Sequence, residues 1–310
     1  TYTTAVEFTS EMDPSWIEIL PKKMAGIESL GVNTMIFSPS LSYSSNPPFF
    51  QPVIGVTPFN YELAEILNAA HAAGFSTGLF PQPLVDPTSS GVIENNAHSE
   101  QWWDFWFENY SNLIVSYAKL AETSNVDSFY IGGKSAIASF QGGIYLDGTA
   151  SDVTEISETY WLALINDIRK VYDGQLVWVS NANLTMDPLP LFISEFDQIY
   201  ISIDTPLSTG SQPIIEELGY NFTAVIDNLI YEVYRSTGKP VLLAFGYPSI
   251  DGGAQGCQII NENCSNDGIF SSYEINGYTA DLDEQALIYN ALFPITASRE
   301  WICLLYTSPS

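Results

Sequence analysis

Five carboxylates stand at the ends of β-rich runs. Glu7 lies near the end of TAVEFT (4–9) and Glu11 follows it, Asp86 follows FSTGLF (75–80), Asp204 follows DQIYISI (197–203), and Asp251 follows PVLLAFG (240–246). Two carboxyl groups across one glycosidic bond can hydrolyse it, at separations of about 5–5.5 Å in retaining enzymes and about 6.5–9.5 Å in inverting ones. Sugars also need flat apolar faces to lie on. Tyr43, Phe49, Phe50, Trp102, Trp103, Trp178, Tyr247 and Tyr273 are the candidates, whereas Trp106, Phe107 and Tyr110 have helical spacing and read as core. Glu7, Asp204 and Asp251 are therefore the catalytic candidates. Tyr43, Phe49, Asn181 and Tyr247 are the substrate-binding candidates.

Other chemistries lack their residues. The two histidines, His71 and His98, form no HxH or HExxH pattern, so no metal site and no cofactor is expected; His71, in mid-helix, reads as a surface or packing residue. Gly132-Gly133-Lys134-Ser135 has the end of a phosphate loop, but Ser128 stands where that loop needs glycine. No GxSxG elbow occurs. A bridge between Cys257 and Cys264 would close a short loop, and spacing alone leaves it open; Cys303 is the third cysteine. Sequons at Asn109, Asn183, Asn221 and Asn263 are about as many as chance gives.

These residues need elements to hold them. Near-continuous apolar runs at 4–9, 32–38, 75–80, 126–131, 175–180, 197–203 and 240–246 read as strands buried on both faces, and an eighth begins at 299–302. Helical patterns lie between them at 14–30, 57–74, 99–123, 155–172, 213–236 and 281–297. Thr57-Pro58 reads as N-cap and first-turn proline, and Gly31 and Gly74 as helix stops. The alternation fits parallel α/β architectures. The first strand is followed by TSEMD, without the glycines of a nucleotide loop, so the predicted fold is an α/β (βα)8 TIM barrel, truncated in or after strand eight. Residues 1–302 read as one barrel domain and 303–310 as a non-native tail. The long insertions, 38–56, 81–98, 132–154 and 247–280, all follow strands, and in a barrel this is the end where active sites are built.

Charge narrows the partner. The chain has 36 Asp+Glu against 9 Lys+Arg, a net −27. Nine basic residues in 310 cannot build a phosphate-binding face, so neither nucleic acid nor an anionic membrane is an expected partner. With 46% hydrophobic, 14% aromatic and only 15% charged residues, the composition is that of a folded chain. No apolar run is long enough to span a bilayer. The expected partner is a neutral glycan, and the expected location is extracellular.

Several segments taken together resemble glycoside hydrolase family 113, the endo-β-mannanase group, and a related glycosidase-like barrel of phage-tail-type proteins. They are Trp103-x-x-Trp106-Phe107-x-x-Tyr110 with Tyr117-Ala118-Lys119-Leu120-Ala121; Val126 to Gly132; Asp197 to Leu207; Lys239 to Gly252; and Asp283-Glu284-Gln285-Ala286 with Tyr289. The resemblance implies a sugar cleft, with Asp204, Tyr247 and Asp251 as binding positions. It also implies two catalytic glutamates, one closing Ile-Gly-x-Glu after strand four and one before Gly-Tyr on strand seven. Lys134 and Ala244 stand at those positions here, and neither can act as the carboxylate. Three readings stay open: an active glycoside hydrolase, a glycan-binding pseudoenzyme, and an extracellular structural or interaction module.

Overall fold

The structure is a computed structural model that describes residues 3–9, 16–45, 47–85, 98–145, 149–181, 189–210, 212–260 and 279–307. In chain order the elements are β1 (Thr3–Thr9), α1 (Trp16–Ser29), β2 (Thr34–Ser38), β3 (Ser40–Ser45), β4 (Pro48–Pro52), α2 (Asn60–Ala72), β5 (Ser76–Leu79), β6 (Gln82–Val85), α3 (Glu100–Thr123), β7 (Ser128–Gly132), α4 (Ile156–Arg169), β8 (Gln175–Asn181), β9 (Gln198–Ile203), α5 (Ile215–Val225), α6 (Tyr231–Thr237), β10 (Val241–Phe245), α7 (Leu282–Ala297) and β11 (Ile302–Thr307). Eight of these strands pair in parallel and alternate with helices, the pattern of the (βα)8 barrel class. The eighth strand runs through Thr307, five residues past the predicted 299–302. Cys303 to Thr307, read from sequence as the start of a tail, thus lie within a paired strand.

The chain divides into two compact units. One comprises residues 1–7, 181–185 and 199–310. Its sheet has the order β1-β11-β10-β9. The register places Ala5 beside Tyr306, Tyr306 beside Ala244, and Ala244 beside Ser202. On β9 the sequence alternates Ile199-Tyr200-Ile201-Ser202-Ile203-Asp204. Alternate residues of a strand face opposite ways. Phe245, paired with Ile203, packs edge-on against Phe222 of α5, so the isoleucine side faces the helices and Tyr200, Ser202 and Asp204 face the other way. A π turn at Ile226–Ile230 joins α5 to α6 where the sequence predicts one continuous helix.

The other unit comprises residues 8–180 and 186–198. Its parallel strands run β2-β5-β7-β8. Trp106 and Tyr110 of α3, Trp161 of α4, Trp178 of β8 and Phe192 make one continuous aromatic core, with Trp161 stacked on Phe192 at 5.0 Å and meeting Trp178 edge-on at 5.2 Å. A further three-stranded sheet, β4-β3-β6, grows from the insertions after β2 and β5. It was not predicted as strands, because Pro39, Pro47, Pro48, Pro52, Pro81 and Pro83 mark the segment as loop. Thr57 is not the N-cap of α2. Its hydroxyl accepts Val53 N–H at 2.7 Å and donates to the Ser40 carbonyl, while Glu62 accepts the Phe59 N–H.

Candidate glycan site

In the first unit the polar face of the sheet ends in a row of hydrogen-bonding side chains. Asn181 closes β8, and its amide donates to Ser202 Oγ at 3.1 Å and Asp204 Oδ1 at 3.3 Å. Asp204 is buried at 6% exposure, directly after β9. Glu7, buried at 5%, accepts the Tyr200 hydroxyl at 3.1 Å. Burying a carboxylate is costly unless it is hydrogen-bonded, and both acids have such partners. Ala244 lies on the same face, level with Ser202, and brings only a methyl group. Sequence reasoning proposed Glu7, Asn181 and Asp204 separately. It missed Tyr200 and Ser202, although the period-two Ile/polar alternation of β9 marks both.

Tyr247 follows β10 and is fully buried, with its hydroxyl donating to the Thr205 carbonyl at 2.8 Å. Burial raises its phenol well above the usual tyrosine range, with the Asp204 charge adding to the effect. It is thus a support beneath the site and not an open stacking face, which corrects the expectation. Asp251 is exposed, in the turn after Tyr247. Its carboxylate groups with those of Asp281 and Glu284, ligand atoms within 4.8 Å of one another. N–H donors already use the cluster: Asp281 accepts Glu284 N–H at 2.8 Å, and Glu284 accepts those of Gly252 and Ala254.

The second unit holds the remaining candidates. Tyr43 is fully buried and stacks on Phe50 at 4.6 Å, and Phe50 meets Trp106 and Tyr110 edge-on. Tyr43 therefore belongs to the aromatic core, contrary to the prediction, and the same burial removes Phe50, Trp103 and Trp178 from the list of sugar platforms. Phe49, the neighbour of Phe50 in β4, points the other way and is 49% exposed. Trp106, Phe107 and Tyr110 are core, as their spacing predicts. Lys134 opens a 3-10 turn just after β7. The glycines before it are structural: Gly132 has φ +112° and a Cβ there would lie 2.7 Å from the Val179 carbonyl, which also accepts Gly133 N–H. His71 is a packing residue, its Nε2 within 2.9 Å of Thr77 Oγ1 and 3.9 Å from Asp127. The amides of Asn109 and Asn221 sit on helices and donate to backbone carbonyls, so two of the four sequons are engaged in the fold. Glu11, Asp86, Tyr273 and Cys264, with the Cys257 side chain, lie outside the described residues.

The sequence model of Glycoside Hydrolase Family 113 matches residues 44–306. Among solved structures, a GH113 β-1,4-mannanase in complex superposes with a TM-score of 0.70 at 21% identity, covering 99% of this chain and 87% of that one. The GH113 β-mannanase AaManA from Alicyclobacillus acidocaldarius in complex with ManMIm gives 0.70 at 19% identity, covering 98% and 85%. A Lactobacillus rhamnosus β-glucuronidase gives 0.59 at 10% identity, covering 99% of this chain and 42% of that one. No curated protein matches the sequence.

Proposed function

The chain belongs to glycoside hydrolase family 113, and on that premise we propose that it binds a neutral β-mannan-type polysaccharide at the strand ends carrying Asn181, Asp204 and Glu7. The observation that carries this reading is the Asn181 amide bonded to both Ser202 and Asp204 beside Ala244. A carboxylate and an amide side by side offer acceptors and donors to adjacent sugar hydroxyls, which is recognition chemistry for an uncharged ligand. Double-displacement hydrolysis needs a carboxylate nucleophile and a second carboxyl as acid/base. By resemblance those roles fall on Ala244 and Lys134. An alanine has no nucleophile, and an ammonium with a pKa near about 10 is a poor proton shuttle at neutral pH. Binding without that reaction is therefore the function proposed. A polymeric glycan is met outside the cytoplasm, so the reading carries an extracellular location with it.

A second reading keeps hydrolysis through relocated carboxylates. It is favoured by one observation: Glu7 and Asp204 are both buried acids, each with a hydrogen-bonding side-chain partner. Calorimetric titration with mannohexaose and a reducing-end assay on β-mannan separate the two. Binding with no new reducing ends supports the first. Release of reducing ends that Glu7→Gln or Asp204→Asn abolishes supports the second, and a protein that neither binds nor cleaves mannan, β-glucan or xylan overturns both.

A further inference from the structure

Glu284 is a first-turn glutamate of α7 that does not behave as one. Its helix is capped by Asp281, whose carboxylate accepts Glu284 N–H at 2.8 Å. In a capping box the glutamate would reach back to the N-cap N–H. Here that N–H donates to the Ser249 carbonyl at 2.9 Å, and the Glu284 side chain goes elsewhere. It is buried at 6% exposure, with Oε2 accepting Gly252 N–H at 2.7 Å and Oε1 accepting Ala254 N–H at 2.9 Å. Both oxygens are thus spent on one turn, in charge-assisted bonds that are stronger than neutral ones.

That turn touches the site at several points. Ala254 carbonyl accepts Leu207 N–H at 2.8 Å and Ser208 N–H at 3.2 Å. Gly256, at φ +59°, lies so close beneath Asp204 that a Cβ would meet its carbonyl at 2.2 Å. Gly253 is equally tight, with its Cβ position 2.4 Å from the Pro248 carbonyl. Tyr247, at the head of the turn, holds Thr205 through its hydroxyl, and Gln285 Nε2 in turn donates to the Tyr247 carbonyl at 3.0 Å. The segment 204–208 therefore rests on 247–256, and 252–254 hangs from one carboxylate.

We propose that Glu284 is a positioning residue for the glycan site, acting through the 247–256 turn to hold Asp204 and Asp251 in place without touching sugar. The proposal rests on the glycan-binding reading above. The experiment compares wild type, Glu284→Gln, Glu284→Ala and Leu292→Ala by hydrogen exchange, thermal melting and mannohexaose titration. Leu292 is a buried residue of the same helix outside the site, and its truncation measures what destabilisation alone does. Glu284→Gln keeps one acceptor and replaces the other with a donor facing an N–H. It is expected to speed exchange at Gly252 and Ala254 at least tenfold and to weaken mannohexaose binding about tenfold, with Glu284→Ala worse on both. Leu292→Ala should melt earlier and bind as wild type. Unchanged exchange at Gly252 and Ala254 in Glu284→Gln overturns the proposal, as does a loss of affinity no larger than that of Leu292→Ala. A wild type that binds no mannan overturns the glycan reading instead, and the exchange comparison, which needs no sugar, still decides whether Glu284 holds the turn.

Discussion

Asp204 and Asn181 show, at the level of single residues, how two strand ends are joined into one polar group that the proposed glycan would meet. The Asn181 amide donates to one Asp204 carboxylate oxygen and to the Ser202 hydroxyl, so one side chain ties both polar groups at the end of β9 to the end of β8. Asn181→Ala removes the donor from both and should weaken mannohexaose binding about tenfold, corresponding to about 1.4 kcal/mol, with calorimetry as the measure. Phe49→Ala tests the exposed ring in the same assay: a loss of affinity would support it as a sugar platform, and an unchanged affinity would remove it from the candidates. Tyr247→Phe is a stability test. It deletes only the hydroxyl that donates to Thr205, and should cost about 1 kcal/mol in denaturant unfolding. These residues were unequally legible. Asp204 and Asn181 end strands with polar groups, a pattern visible in the sequence. Tyr43 and Tyr247 looked like exposed loop aromatics because their neighbours are polar, yet stacking on Phe50 and the Thr205 bond take them inside.

Elements were more legible than residues. The (βα)8 alternation follows from apolar runs and helix stops, and seven predicted strands fall within a few residues of those observed. What sequence did not show was β3, β4 and β6, because six prolines disguise the strands of a small sheet. It also did not show why Gly132 and Gly133 end β7. The structure gives the cause: β7 pairs with β8 through Gly132 and Val179, and the chain then turns with φ positive at both glycines. Gly132→Ala combines a strained φ with a 2.7 Å approach to the Val179 carbonyl, a backbone atom that cannot swing aside. It should cost about 3 kcal/mol, read as a lower denaturant midpoint. Trp161→Ala removes the centre of the aromatic core and should cost about 3–5 kcal/mol. The abundance of aromatics, which suggests sugar stacking when read as composition, is explained mostly by this core.

For the molecule as a whole, the net charge of −27 sets the response to solution conditions. Arg169, Lys170, Arg235 and Arg299 already face carboxylates, which leaves most acids to repel one another at the surface. Screening is the remedy, so raising NaCl from low ionic strength towards 1 M should raise the melting temperature. Alkaline conditions act in the opposite direction by a second route. Burial pushes the Tyr117 phenol up to about 12, and it raises those of Tyr110 and Tyr172 further. In the unfolded chain these phenols ionise near about 10, so below that pH their neutral form costs nothing in either state. Between about 10 and 12 only the unfolded chain releases the Tyr117 proton, and stability falls by about 1.4 kcal/mol per pH unit for that residue. Tyr117→Phe should leave stability at pH 7 nearly unchanged and make the loss above pH 10 less steep. Denaturant midpoints measured from pH 8 to 11.5 read this directly, and an alkaline slope identical in Tyr117→Phe and wild type would remove the phenol as its cause.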